Sequence, residues 1–172
     1  MLIISFLLQG CYKSIEDENQ DNKIYLSTFL DIHSQYCEKP YKQRSMLIKA
    51  LKKDPNLSIS KDYDDVYEST IDKVSYGISA EEDGCTTDVL LKTELTKGAL
   101  ISLESIESSL TARGYKIIGE RKTLYDKGWD GTKVKITDIE FMTDNQERAV
   151  LSYPLEKIDK FYMTLWVKKY SQ

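Results

Sequence analysis

The chain has 172 residues and a formal net charge of −4, with 24 Lys and Arg against 28 Asp and Glu. That length suits one domain with a real core. The mild acidity excludes the clustered basic footprint of a nucleic-acid binder and a polybasic membrane patch.

The chain opens on an apolar run, Met1 to Leu8, followed by Gln9, Gly10 and Cys11. The run is shorter than the ~20 residues that span a bilayer and has the length of a signal-peptide apolar region, about 7–15 residues. Leu8-Gln9-Gly10-Cys11 resembles the lipobox of bacterial lipoproteins, with Leu three positions before the cysteine and Gly one before. The resemblance implies that residues 1–10 are a signal peptide and that Cys11 carries a diacylglyceryl thioether and an acylated amine. The partner so implied is a membrane of the bacterial cell envelope, held at about 0.8 kcal/mol per buried methylene. No Lys or Arg precedes the run, so the signal peptide is expected to be truncated at its N-terminus. Tyr12 stands where the best-known sorting rule places the Asp that retains such proteins at the inner membrane. By that analogy the expected location is the outer membrane, facing the periplasm.

Residues 12–23 are polar and too poor in apolar side chains to order themselves. With Cys11 they read as a lipidated flexible tether, which leaves residues 24–172 as a single domain. Lipid on Cys11 also leaves Cys37 and Cys85 out of three cysteines. Outside the cytoplasm such a pair implies a disulfide, contributing about 4 kcal/mol for a loop of this size. Two buried free thiols are the alternative.

Within the domain, Leu26, Phe29, Leu30, His33 and Tyr36 recur at helical spacing and predict a helix over 24–37. Lys39-Pro40 breaks it. A second helix is expected over 42–53, with Met46, Leu47, Ala50 and Leu51 inward, so that the two form a helical hairpin. Residues 57–72 carry Asp62, Asp64, Asp65, Glu68 and Asp72 and read as a solvated acidic loop or edge, without the spacing or glycine of a calcium loop. Val74, Tyr76, Ile78 and Ala80 alternate with polar residues, Asp83-Gly84 marks a turn, and Cys85, Thr87, Val89 and Leu91 alternate on the way back, which is a hairpin.

Ser102 to Arg113 reads as the best-marked helix. Ser102 is placed to cap it, Glu104 lies in its first turn, Leu103, Ile106 and Leu110 make the apolar stripe, and Gly114 follows as the C′ residue. Tyr115, Ile117 and Gly119 begin another strand. Residues 123–131 read as a loop with two aromatics, Tyr125 and Trp129. Asp126, Gly128, Asp130 and Gly131 depart from the calcium-loop spacing and favour a plain turn. Val134 and Ile136 share one parity, Ile139 and Phe141 the other, which predicts a β-bulge near Asp138. Ala149, Leu151 and Tyr153 form the next strand, and Phe161, Met163, Leu165 and Val167 the last. The fold class so predicted is α+β: an N-terminal helical hairpin and a mainly antiparallel sheet with one further helix packed on one side.

No constellation of catalytic residues is marked. The single histidine, His33, sits inside a helix and reads as a histidine at the edge of the core. There is no nucleophile elbow, phosphate loop or metal-ligand spacing, so no enzyme, metal or cofactor is expected. On the last strand, Tyr162, Trp166 and Tyr170 fall opposite the core parity and form an aromatic ladder suited to binding; the alternative is that a helix or the tether covers that face. Tyr125 and Trp129 make a second candidate surface. Three function classes remain: a non-enzymatic envelope lipoprotein that binds a protein or supports an assembly, an inhibitor or immunity lipoprotein that blocks a toxic or lytic enzyme, and an enzyme with an unmarked carboxylate site.

Overall fold

Period-two burial organises the structure. Val74, Tyr76, Ile78 and Ala80 are buried while the residues between them are half-buried, as a strand with one face on a core requires. The computed structural model describes residues 15–39, 41, 43–61, 63–71, 74–91, 101–127, 131–156 and 161–170, with side chains from residue 23 onward except those of Leu91 and Phe161. Cys11, Trp129, Gly128 and Asp130 lie outside the described residues.

Two helices open the chain, α1 (Ile15–Tyr36) and α2 (Arg44–Lys53). Four strands follow: β1 (Ser58–Ile59), β2 (Val66–Ile71), β3 (Val74–Ala80) and β4 (Gly84–Leu91). Then come α3 (Leu103–Ala112), β5 (Lys116–Ile117), β6 (Lys122–Lys127), β7 (Lys133–Met142), β8 (Arg148–Pro154) and β9 (Phe161–Lys168). All strands join one nine-stranded antiparallel sheet in the order β1-β2-β3-β4-β9-β8-β7-β5, with β6 also paired to β7. The fold is α+β and mostly sheet. Two local meanders, β1 to β4 and β5 to β9, meet where β4 pairs with β9.

One hydrophobic cluster joins the helices to a single face of the sheet. Leu26, Phe29, Leu30, His33 and Tyr36 of α1 are buried, and the helix packs across β4 and β3. It begins at Ile15, inside the stretch read as tether. From α2, Leu47 and Leu51 enter the core. Met46, expected inward, is 49% exposed; Ile48 on the other flank of Leu47 packs instead, which turns the stripe by one position. Arg44 ties this helix to the sheet, donating to the Ala80 carbonyl at 2.6 Å and to Asp65 at 2.8 Å.

The α3 boundaries follow the sequence signals. Ser102 is extended and its Oγ accepts from the Ser105 amide at 3.1 Å. At the other end Gly114 has φ +91°, its amide donates to the Thr111 carbonyl, and the Tyr115 amide donates to the Leu110 carbonyl. This is a Schellman closure, which needs the left-handed residue that glycine supplies. A side chain at Gly114 would also strike Asp144.

The stretch 57–72 contains β1 and β2, the sheet edge, one of the two forms expected for it. Two expectations change. The stretch 123–131 is a strand as far as Lys127, pairing with β7 along its whole length. All six residues of β6 are exposed, so no alternation marks it. The bulge is absent from β7, whose ladder to β8 runs unbroken from Ile136 to Met142. The irregularity is in the partner: Ile117 lies opposite Phe141 and Lys122 opposite Asp138, so residues 118–121 face only 139–140. Gly119, at φ +75°, takes the bend. The parity change in β7 reflects burial on the second face, where Val134 and Ile136 help line a cavity.

Candidate functional site on the second sheet face

Register assembles this site. Glu68, Gly77, Asp88, Thr164, Ser152, Asp138 and Lys122 lie directly opposite one another from β2 to β6. They form one row across the sheet, polar at every position but the glycine, on the face turned away from the hydrophobic cluster. None of its members belongs to that cluster. No described helix contributes to this face.

Asp88 is the centre of the row. The Tyr162 hydroxyl donates to its carboxylate, while its Oδ1 is buried without a hydrogen-bond partner among the described residues. Burial raises the carboxyl from 3.8 to about 7. The Tyr162 hydrogen bond opposes the rise and the charge of Glu81 adds to it. Tyr162 is raised in turn, by burial first and then by the charge of Asp88. Gly77, opposite Asp88, leaves room for the carboxylate: an added Cβ would lie 3.3 Å from Oδ2. Farther along the row, Ser152 donates to Asp138 at 2.7 Å, and Lys122 reaches past it to Glu140 at 2.8 Å.

Beside Tyr162 is a shallow cavity of about 80 Å³. Thr164, Ser152, Asp126 and Lys127 give it polar groups; Val134, Ile136 and Pro154 give it an apolar wall.

Trp166 lies one row over, between Thr86 and Val150, and is half-buried, as is Tyr162. Its indole rests on Gly84. A Cβ there would meet the indole Nε1 at 2.6 Å and the Val167 carbonyl at 2.4 Å. The turn glycine is thus required for close approach, and its φ is not in the left-handed region. Tyr170 leaves the expected ladder: β9 ends at Lys168, the Tyr170 amide donates to the Asp83 carbonyl, and the ring is buried. Tyr125 is 58% exposed but shares the parity of its partner Lys135, which faces the helical side; Lys133 Nζ sits 4.4 Å from its ring centroid. The structure therefore keeps Tyr162 and Trp166 on one face of β9, with Thr164 between them, and sets Tyr125 and Tyr170 apart from that face.

On the opposite face, Cys37 and Cys85 lie at disulfide distance, with Cα atoms 5.3 Å apart. His33 is fully buried next to them, its Nδ1 3.0 Å from Thr87 Oγ1. Burial, followed by the charges of Lys169 and Arg113, lowers it from 6.5 to about 3, so it is neutral. This histidine is part of the core.

Asp88, Thr164, Ser152 and Asp138 were not singled out from the sequence. One signal was present: Asp is depleted from strand interiors, yet Asp88 and Asp138 both occupy them. Among the described residues no three His, Cys, Asp or Glu side chains converge as metal ligands. Compared with family models, curated proteins and solved structures, the chain matches none.

Proposed function

We propose that the chain is a non-enzymatic cell-envelope lipoprotein that binds another protein, or supports an envelope assembly, through the second face of its sheet. Lipid on Cys11 tethers it, and the outer membrane, facing the periplasm, is its location in this reading. The observation that carries the reading is the pair of half-buried aromatics, Tyr162 and Trp166, on the central strand β9 and opposite the core. Aromatics set among polar neighbours have the composition of interaction surfaces. The Cys37–Cys85 pair suits an oxidising compartment. The helices α1 and α2 are read as a hairpin that closes the other face. A second reading, an inhibitor or immunity lipoprotein that blocks a toxic or lytic enzyme, is favoured by the carboxylate at the centre of the same face, which suits a basic target.

Two measurements test the proposal. Labelled fatty acid should enter the full chain and not its Cys11→Ala variant, which should leave the membrane; label in both overturns the anchor. In capture from detergent-solubilised envelope, Trp166→Ala should weaken a specific partner by about 2 kcal/mol or more, roughly thirtyfold. Unchanged affinity overturns the surface.

A further inference from the structure

The two ends of the sheet differ. At one end β1 is two residues long; at the other β6 runs for six, all exposed, and pairs only with β7. Two hydrogen bonds fix which way the β6 backbone faces. The Leu155 amide donates to the Lys135 carbonyl at 2.9 Å, and the Ile118 amide donates to the Glu140 carbonyl at 2.8 Å. A strand residue turns its N–H and C=O to the same side, and the side alternates along the chain. Odd-numbered residues of β7 therefore bond towards β8, and even-numbered ones towards β5 and β6. Thr123, Tyr125 and Lys127 stand opposite Thr137, Lys135 and Lys133, so their amides and carbonyls point away from the sheet. Asp126 Oδ1 takes up the Lys127 amide at 2.7 Å. Thr123 and Tyr125 are left with outward amides and carbonyls that nothing pairs with among the described residues. Such a row is a template for one more strand.

The same edge carries unmatched positive charge. Lys127 lies directly opposite Lys133, and Lys135 opposite Tyr125. Like charges so placed oppose strand pairing. Lys133 Nζ rests 4.4 Å from the centroid of the exposed Tyr125 ring. None of the three lysines forms an ion pair among the described residues.

We propose that the β6 edge takes an extended acidic segment of a protein partner as an added strand, with alternate Asp or Glu side chains on the Tyr125 face meeting Lys133 and Lys135. The backbone of the segment bonds to Thr123 and Tyr125, and its carboxylates answer the lysines. In strand addition of this kind the main chain supplies affinity and alternate side chains supply selectivity. A second copy of this chain is the poorer occupant: edge to edge, two sheets would bring both sets of lysines to one side. The edge is distinct from the Tyr162–Trp166 face, and its geometry stands apart from the reading of that face.

The test titrates the full chain, isotope-labelled, with a capped peptide of alternating glutamate and valine. One control peptide carries lysine for glutamate; another is N-methylated along one backbone edge. Amide shifts should centre on Thr123, Tyr125 and Lys127, and hydrogen exchange at the Thr123 and Tyr125 amides should slow as they gain partners. The lysine peptide should bind at least about tenfold more weakly, and the methylated one should not bind. Lys133→Gln together with Lys135→Gln should remove most of the preference for glutamate over lysine. Thr123→Pro deletes an outward amide that β7 does not use, so it should weaken binding at least about tenfold while the urea midpoint stays close to the parent's. Equal binding of the lysine peptide, full binding of the methylated one, or shifts centred elsewhere would overturn the proposal. Inorganic polyphosphate binding the edge as tightly as the peptide would overturn it too, by marking a general anion site. So would a dimer of the chain alone, seen by sedimentation and dissolved by Thr123→Pro, which would make the occupant a second copy. Trp166→Ala should leave peptide binding unchanged, so the edge and the second face stand or fall separately.

Discussion

Two rows of residues cross the sheet side by side, one position apart in every strand. Tyr67, Ile78, Thr87, Leu165, Leu151 and Ile139 make the row under the helices; Glu68, Gly77, Asp88, Thr164, Ser152 and Asp138 make the row on the second face. Both are held by the same backbone ladders, so the difference is parity alone. The first row is fully packed, and its Thr87 hydroxyl is taken up by His33 and Cys37. The second leaves polar groups in reach of solvent and one carboxylate oxygen unmet. Neighbouring residues of one strand, Thr87 and Asp88, thus answer to different demands: the first row stabilises the sheet, and the second is free to carry specificity.

The sharpest test of this division compares adjacent residues of β9. Leu165→Ala should cost about 2–5 kcal/mol through lost burial and the cavity left behind. Thr164→Ala should stay within about 0.5 kcal/mol, as surface changes do. Urea midpoints of the two variants decide it, and comparable losses would mean that both faces are core.

Protons separate the rows next. His33 is lowered from 6.5 to about 3, so between those values the unfolded chain binds a proton that the folded one refuses. Its contribution to stability is whole above about 6.5 and is lost as pH falls towards 3. Asp88 is raised from 3.8 to about 7, so there the folded chain keeps a proton that the unfolded one has released. Its contribution is whole below about 3.8 and is lost as pH rises through 7. Between 3.8 and 6.5 the two slopes oppose each other, at up to about 1.4 kcal/mol per pH unit each. Asp88→Asn should therefore leave stability rising more steeply with pH over this window, and His33→Gln should leave it rising less steeply or falling. Denaturant midpoints at pH 4.5, 5.5 and 6.5 check both. Profiles parallel to the parent would show that neither group is perturbed as the packing implies.

The smallest effect belongs to Trp166. On the second face it should contribute about 1 kcal/mol or less to stability, its value lying in recognition. If Trp166→Ala lowers stability by about 3–5 kcal/mol, as large aromatic truncations in cores do, the aromatic pair is core and offers no docking surface.

Burial and local chemistry made much of this fold legible in the sequence. The α1 stripe, the Ser102 and Gly114 caps and the β3–β4, β7, β8 and β9 alternations each report a buried face or an end that must be closed. Strand β6 did not show, because it is exposed at every position and has no periodicity to read. The bulge was assigned to the wrong strand for a related reason: Val134 and Ile136 obey the lining of a cavity on the second face, not an inserted residue. The polar row was out of reach because it depends on the register of six ladders, including the long-range pairing of β4 with β9. Tyr170 shared the parity of Trp166 on paper, but alternation holds only as far as the strand does.

The position of β9 has a consequence for synthesis. Last of the strands in the chain, it is fifth across the sheet, between β4 and β8. A polypeptide that emerges N-terminus first can build two half-sheets from neighbouring hairpins, yet each ends in an unpaired edge until β9 arrives. Those edges, β4 and β8, carry core residues such as Cys85, Val89, Ala149 and Leu151, and open edges with an apolar face recruit other chains. The nascent protein is therefore most vulnerable to aggregation in the interval just before its last strand is made, and a chaperone acting at that stage would have two strand edges to shield.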